Sequence, residues 1–520
     1  MLRVYNTLTA EKEDFVPLKP GEVGMYACGV TVYDHSHLGH ARGAVVFDVV
    51  RKYLRHKGYN VKYVRNFTDV DDKIIKRAAE AGTTWKELAE KYTDEYIKDM
   101  ARLGVERPDV EPRATGHIPE IIDNVRRLVE RGYAYESGGD VFFSVRKFAP
   151  YGKLSKKPLD DMMSGARVDV DERKNDPLDF VLWKASKPGE PVWDSPWGPG
   201  RPGWHIECSA MSMKHLGETF DIHAGGMDLQ FPHHENEIAQ AEAASGKKFV
   251  RYWMHNGFVN VNREKMSKSL GNFFTIKEIL ENYEPEAVRF FLLSTHYRNP
   301  IDFSDQSLQD SRAALDRYYT MLEGLDRALA GHQAREYAPA ELAGPAAELH
   351  AAVEAFKGRF EEAMDDDFNT ASAVGAVFEL VREVNRVTSD QALLMDDPRA
   401  RDVLESARGA LRGAADILNV FDQEPDAWFG RDREYITIKA AGDELAEILA
   451  GLSELGVDVG TGQAREAAIP AKAVEGLIED RDRARASKDW GRADKIRNAL
   501  LKAKIELLDS PEGTKWQVKE

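Results

Sequence analysis

Two short stretches of the 520-residue chain combine imidazole, ammonium and glycine as phosphate chemistry uses them. His37-Leu38-Gly39-His40 stands where a predicted strand hands over to a predicted helix, and amide N–H groups at a helix start attract phosphate. Gly39 lets a ligand approach the backbone, and His37 and His40, three residues apart, share one helix face. Later in the chain, Lys265-Met266-Ser267-Lys268-Ser269 puts two ammonium groups on a short loop followed by Leu270-Gly271-Asn272. Such groups meet oxygens that gain negative charge during phosphoryl transfer, and such a loop can move. A polar helix start and a solvated basic turn would also give either stretch alone. Their pairing in this order is the specific feature.

A third set has metal-like composition. Cys28 follows the first predicted strand, Cys208 sits in Glu207-Cys208-Ser209, and His233 and Glu237 stand four apart at a predicted helix start. The i, i+4 spacing puts one imidazole and one carboxylate on the same face, and two sulfurs, a nitrogen and an oxygen are acceptable zinc donors. The chain has no CxxC, and two small buried side chains beside an acidic capped helix fit the same residues. His234 points about 100° away from His233 on a helix and is left out of the donor set. A fourth set is C-terminal: Arg481 to Trp490, then Ala493 to Arg497, then Leu508 to Trp516. A basic helix pair with an exposed aromatic can stack an unpaired base, while carboxylates accept from base amino groups. A solvated charged helix pair has the same composition.

The elements that must position these groups are legible in outline. Met25 to Val32 reads as a strand, the segment after it as an amphipathic helix to Leu54, and VKYVRNFTDVDDK as a second strand. Strand, helix, strand is the parallel α/β unit, and a doubly wound nucleotide-binding fold follows. Tyr133 to Ser144 reads as a hairpin about Ser137-Gly138-Gly139-Asp140, and the Pro-, Gly- and Trp-rich stretch 186–204 continues an insertion in that sheet domain. Residues 219–230 and 249–262 supply further strands. From about 310 to 425 the pattern is long amphipathic helices, broken near Gly344-Pro345, Asp365 to Asp367 and Asp396 to Pro398, which makes a helical bundle. The expected organisation is a catalytic domain split into 1–115 and 201–250, an insertion over 116–200, a region 251–310 carrying the lysine loop, the bundle 311–425 and a C-terminal region 426–520.

Composition narrows the class. Apolar residues make up 42% and charged residues 31%, which excludes a disordered chain. A formal net charge of −17 argues against a uniformly basic nucleic-acid coat. That acidity is local: residues 331–470 carry −15, whereas 471–520 carry +2. Twelve of the 14 histidines precede residue 330, so chemistry is expected in the first part of the chain. Two cysteines cannot build a disulfide scaffold, the start MLRVYNTLTA lacks a signal-peptide core, and no run of about 18 apolar residues occurs. The expectation is a cytoplasmic, non-membrane protein.

The stretches YACGVTVYDHSHLGHAR, NFTDVDDKII, RPGWHIECSAM, DIHAGGMDLQFPHHENEIAQ and EKMSKSLGNF resemble the class I aminoacyl-tRNA synthetases, whose paired signatures are HIGH and KMSKS. Within them the resemblance is to the cysteinyl-tRNA synthetases. It implies an α/β fold of Rossmann-like type with an inserted connective domain, a stem-contact region, a helical bundle and a small anticodon-binding domain. It implies ligation of L-cysteine to tRNA(Cys) with ATP going to AMP and diphosphate, and a monomer. His37, His40, Lys265 and Lys268 would be catalytic, and with Gly39 and Asp228 would bind ATP and its Mg²⁺. Gly29, Thr68, Trp204 and His223 would form the amino-acid pocket. Cys28, Cys208, His233 and Glu237 would hold one zinc, and Arg485, Trp490, Asp494 and Asp509 would read the anticodon. Zinc answers a selectivity problem, because a pocket separates serine from cysteine by only ~10 to 200-fold, whereas a metal prefers thiolate to hydroxyl. The substrate thiolate is therefore expected to be a zinc ligand, with no editing domain. The related cysteine and amino-sugar ligase of mycothiol synthesis, and a non-catalytic RNA-binding homologue, are the rival readings; the C-terminal segment speaks against the first and the intact motifs against the second.

Overall fold

The computed structural model describes residues 1–157, 172–261, 264–265, 274–390, 394, 397–430, 435–440, 442–457, 460–461, 466–510 and 513–518. The chain divides into two compact units, one of Met1–Ala314 with Gln333–Val420, the other of Leu315–His332 with Phe421–Glu520.

The first unit is built on four parallel strands in the order Val250–Asn256, Phe220–Gly226, Glu22–Ala27, Asn60–Arg65. Phe220–Gly226 is buried at six consecutive positions, the pattern of a parallel strand covered on both faces. The Leu38–His56 helix makes the crossover between Glu22–Ala27 and Asn60–Arg65. The next strand of the sheet, Phe220–Gly226, pairs on the opposite side of Glu22–Ala27. The strand order therefore reverses between these two strands, and in doubly wound sheets the crevice outside the carboxyl ends at such a point is where ligands bind. Those ends are Ala27 and Gly226, next to Cys28 on one side and Asp228 on the other.

The insertion contains an antiparallel sheet of Ala134–Ser137, Asp140–Phe143, Phe180–Ala185 and Gly200–Pro202. The predicted hairpin turns at Gly138 and Gly139, whose φ values of +65° and +84° suit residues without a Cβ. The Val250–Asn256 strand of the central sheet crosses residue 250, the boundary drawn from sequence. Three long helices, Gly344–Asp365, Thr370–Thr388 and Pro398–Leu418, pack in the same unit. They start and stop at the predicted breaks, with Pro345 and Pro398 in their first turns and Asp397 capping the third.

A buried ion pair ties the first helix to the rest of its unit. Arg289, on the Pro285–Leu293 helix, donates to Asp48 Oδ2 at 2.6 Å and to the carbonyls of Leu103 and Leu418, while Asp48 also accepts from the Glu106 amide. Both side chains are buried. Removing one partner leaves an uncompensated charge, so Asp48→Ala is expected to cost about 3–5 kcal/mol, read as a lower midpoint in denaturant unfolding of this unit; an unchanged midpoint would show the pair to be idle.

The second unit has its own core, in which Ile436, Ile438, Leu477, Ile496 and Trp516 meet. It joins the sheet of Tyr435–Lys439, Glu466–Pro470 and Gly460–Thr461 to the helices Ala471–Ala486 and Trp490–Lys502 and the hairpin Ile505–Ser510 with Gly513–Val518. No helix among the described residues is long and apolar enough to cross a membrane.

Candidate active site and metal centre

Cys28, Gly29, His37, Gly39, His40 and Asp228 all line one cleft of about 330 Å³ at the strand ends. His37 is the N-cap of the Leu38–His56 helix: its Nδ1 accepts from the Gly39 amide at 3.1 Å, and His40 Nδ1 accepts from the His37 amide at 3.4 Å. The two rings stack with centroids 3.7 Å apart and planes 20° from parallel. A ring that accepts through Nδ1 carries its proton, when neutral, on Nε2. Both imidazoles thus present an N–H donor at the edge opposite the cap, the polarity a phosphate oxygen needs. A Cβ at Gly39 would lie 2.9 Å from His37 Cε1, so a larger residue there would displace the capping ring.

Lys265 belongs to the strand Glu264–Lys265, paired with Val259–Val261, and Lys268, with the rest of that motif, lies outside the described residues. Beyond it, Thr275 bridges His37 and the Ile276 amide donates to Ser36 O at 2.9 Å. The chain that leaves at Lys265 thus returns beside the His37 turn.

The metal-type residues converge from three elements. Cys28 follows the Glu22–Ala27 strand, Cys208 comes from the Trp204–Leu216 helix, and Glu237 from the Glu235–Ser245 helix, with His233 just before it. Cys28 Sγ lies 3.7 Å from Cys208 Sγ and 3.4 Å from Glu237 Oε1, and His233 Nε2 lies 3.0 Å from Glu237 Oε1. Tetrahedral zinc with donors at about 2.0–2.3 Å spaces them roughly 3.3–3.8 Å apart, so Cys28 already stands at ligand spacing from Cys208 and Glu237, while His233 and Glu237 are closer than that. Burial pushes the Cys28 thiol and the Glu237 carboxyl well up, whereas the hydrogen bond from Cys28 brings Cys208 down to about 7. Glu237 Oε2 is buried without a hydrogen-bond partner among the described residues. A site of thiols and a carboxyl that must lose protons, with an orphaned oxygen, fits a divalent cation.

His234, left out of the donor set on sequence, also stands at the cluster. Its Nε2 lies 3.3 Å from Cys28 Sγ, and Cys28, His223, His234 and Glu237 form a second four-donor group overlapping the first. Phe231 is extended (φ −142°, ψ 132°), so the segment entering His233 and His234 departs from a regular helix, and both rings reach the cluster. Behind His234, Nδ1 meets His255 Nε2 at 2.8 Å and His255 Nδ1 meets Thr7 Oγ1 at 2.8 Å. Burial depresses both imidazoles, His255 to about 3, which keeps them neutral.

The residues expected to hold the amino acid surround this cluster. His223 is buried with Nε2 3.4 Å from Cys28 Sγ, and Trp204, 36% exposed, stacks on His233 at 4.3 Å. Thr68 is buried beside the cleft wall, exchanging backbone hydrogen bonds with Val30 and Val32. The Gly29 amide donates to Asn66 Oδ1 at 2.8 Å, and a Cβ at Gly29 would fall 1.6 Å from Asn66 O.

In the second unit, Trp490 opens its helix and is 58% exposed. Arg485 Nη1 lies 3.0 Å from Asp509 Oδ2. Arg481, which the sequence did not single out, donates both terminal nitrogens to Asp509 at 2.8 and 2.6 Å and, with Thr514 and Arg485, holds that carboxyl well below its usual range. Asp494 contributes to the field on Arg481.

Residues 14–313 match the family model described as tRNA synthetases class I (C) catalytic domain, and residues 359–422 match a DALR domain. The chain is 53% identical over 522 residues to a cysteine-tRNA ligase of Pelobacter propionicus and 55% identical over 521 residues to one of Geobacter sulfurreducens, with all of both chains covered in each case. Among solved structures, methionyl-tRNA synthetase of Mycobacterium tuberculosis in complex with methionyl-adenylate superposes with a TM-score of 0.60 at 18% identity, over 78% of this chain and 93% of that one, a likeness of fold. Motif, fold and full-length similarity agree: the chain belongs to the class I aminoacyl-tRNA synthetases and, within them, to the cysteine-tRNA ligase family.

Proposed function

We propose that the chain activates L-cysteine with ATP and transfers it to the 3′ end of tRNA(Cys). The observation that carries this reading is a metal-type cluster of which one thiol, Cys28, lines the same cleft as a stacked imidazole pair at a helix start. Zinc held by Cys28, Cys208, His233 and Glu237 supplies thiolate recognition, which a hydroxyl of the same size does not satisfy.

The chain's own residues do the rest. His223 and Trp204 close around the small side chain, and Gly29 and Thr68 form the wall along which the amino acid lies. The substrate carboxylate attacks the α-phosphorus of ATP in line; the new C–O–P bond forms as the bond to diphosphate breaks. His37 and His40 direct Nε2–H donors at the phosphate, Lys265 and Lys268 neutralise the departing charge together with ATP-bound Mg²⁺, and Asp228 accepts from the ribose. A hydroxyl of the terminal ribose of tRNA then attacks the adenylate carbonyl, and AMP leaves. Trp490 offers its exposed face to an anticodon base, and Arg485, Asp494 and Asp509 supply the polar edge contacts.

Cysteine-dependent exchange of diphosphate into ATP, followed by charging of tRNA(Cys), tests the reading; a protein that catalyses neither is not this ligase. Trp490→Ala is expected to weaken charging at limiting tRNA by about 5 to 150-fold, the value of one stacked base, with exchange near normal. Equal loss in both reactions would contradict the assignment of Trp490 to tRNA.

A further inference from the structure

His205 has no assigned role, yet its Nδ1 lies 2.9 Å from Nδ1 of His233, one of the proposed zinc ligands. His233 is otherwise held by Trp204 stacked on its face and by Glu237 Oε1 at its Nε2 edge. His205 is itself fixed. Phe180 packs edge-on against its ring at 5.7 Å and 79°, and Gln240 Nε2 donates to its carbonyl at 3.0 Å. Two nitrogens at that separation share one proton, so one ring donates and the other accepts.

We infer that His205 is a positioning residue of the metal centre, accepting the Nδ1–H of His233 and so holding His233 in the tautomer whose Nε2 is a bare donor. The inference rests on the zinc reading above. Its logic is a count of protons. A neutral imidazole that offers Nε2 to a metal carries its single proton on Nδ1. The atom facing that proton is His205 Nδ1, which must then be unprotonated, with the His205 proton on Nε2. His205 is only partly buried, and that Nε2–H can be hydrated. The opposite arrangement, with His205 Nδ1–H donating, leaves the His233 proton on Nε2 facing Glu237, where it blocks ligation. Both arrangements hold the same number of protons, so His205 selects between them at no cost in charge. Ligating imidazoles characteristically donate their second N–H to such a partner, and losing the partner costs about 10–100-fold in metal affinity.

The test compares the full-length wild type with His205→Leu, which removes the acceptor, and His205→Asn, whose amide oxygen falls where Nδ1 was. Zinc affinity is measured by chelator competition and the metal-free melting temperature by calorimetry. Expected results are a 10–100-fold loss of affinity for Leu, an affinity within about threefold of wild type for Asn, and similar metal-free melting in all three. A Leu variant that binds zinc like wild type, or an Asn variant as weak as Leu, overturns the inference. Should Leu unfold the metal-free protein, ¹⁵N-histidine spectra of the zinc-loaded wild type decide: a protonated His205 Nδ1 overturns the inference, and a protonated His233 Nδ1 supports it. A wild type that binds no zinc overturns the metal reading itself.

Discussion

Cys208→Ser protein is expected to contain well under one zinc per chain and to lose most of its preference for cysteine over serine. The physical reason lies in the donor set. Cys28 and Cys208 face each other at 3.7 Å, and a cation bound there would be held by the charge of two thiolates and one carboxylate. A serine hydroxyl stays protonated near pH 7 and is a poor donor to a borderline-soft ion. Without the metal, only pocket contacts distinguish the substrates, and these reach ~10 to 200-fold. Metal analysis and diphosphate exchange with both amino acids check this; full zinc content with undiminished discrimination would sink it. The wild-type site should also respond to pH in a fixed direction. Burial raises Cys28 and Glu237 above their usual values, and Cys208 sits at about 7. Each must lose its proton to ligate, so the loaded site holds fewer protons than the empty one and zinc binds more tightly as pH rises from 6 to 8. Chelator competition at the two pH values reads the sign.

The site was legible where chemistry is local and illegible where topology supplies the neighbour. His233 and Glu237 are four apart across a helix start, and that local spacing brings them to 3.0 Å. His37 and His40 are likewise joined by one turn of helix. Cys28 and Cys208 meet only because the order of the parallel strands places the end of Glu22–Ala27 against the Trp204–Leu216 helix, which no spacing encodes; the resemblance to a family was needed to pair them. His205 shows the limit from the other side. It lies next to Trp204, which the resemblance gives to the amino-acid pocket, and nothing in its sequence position points to His233, its partner through space at 2.9 Å. Arg481 is a similar omission: a basic residue in a charged helix reads as solvated, yet it is buried against Asp509. The coarse fold was read more completely, because strand, helix, strand and capped helical breaks are written in periodicity and in Gly, Pro and Asp placement.

His37→Asn should separate the two roles of its motif, with a loss of roughly 10²–10³ in the rate of adenylate formation and an unchanged melting temperature. His37 is the cap of its helix in extended conformation (φ −116°, ψ 169°), and the capping atom is Nδ1. An asparagine Oδ1 takes nearly the same place, and asparagine is among the best N-cap residues, so the helix start and the seat of Gly39 are kept. What is lost is Nε2 and its proton, the donor facing the cleft. His37→Gln makes the opposite change. Its longer amide reaches toward the Nε2 position but leaves the Gly39 amide without its acceptor, so it should lose about 0.5–2 kcal/mol of local stability while retaining more of the exchange activity than Asn. Zinc content should stay at one per chain in both, because neither variant touches the thiol cluster. Melting curves, metal analysis and diphosphate exchange on the two variants give six values. An Asn variant within tenfold of wild-type exchange would reduce the motif's first histidine to a helix cap, and phosphate stabilisation would then fall to His40 and the two lysines.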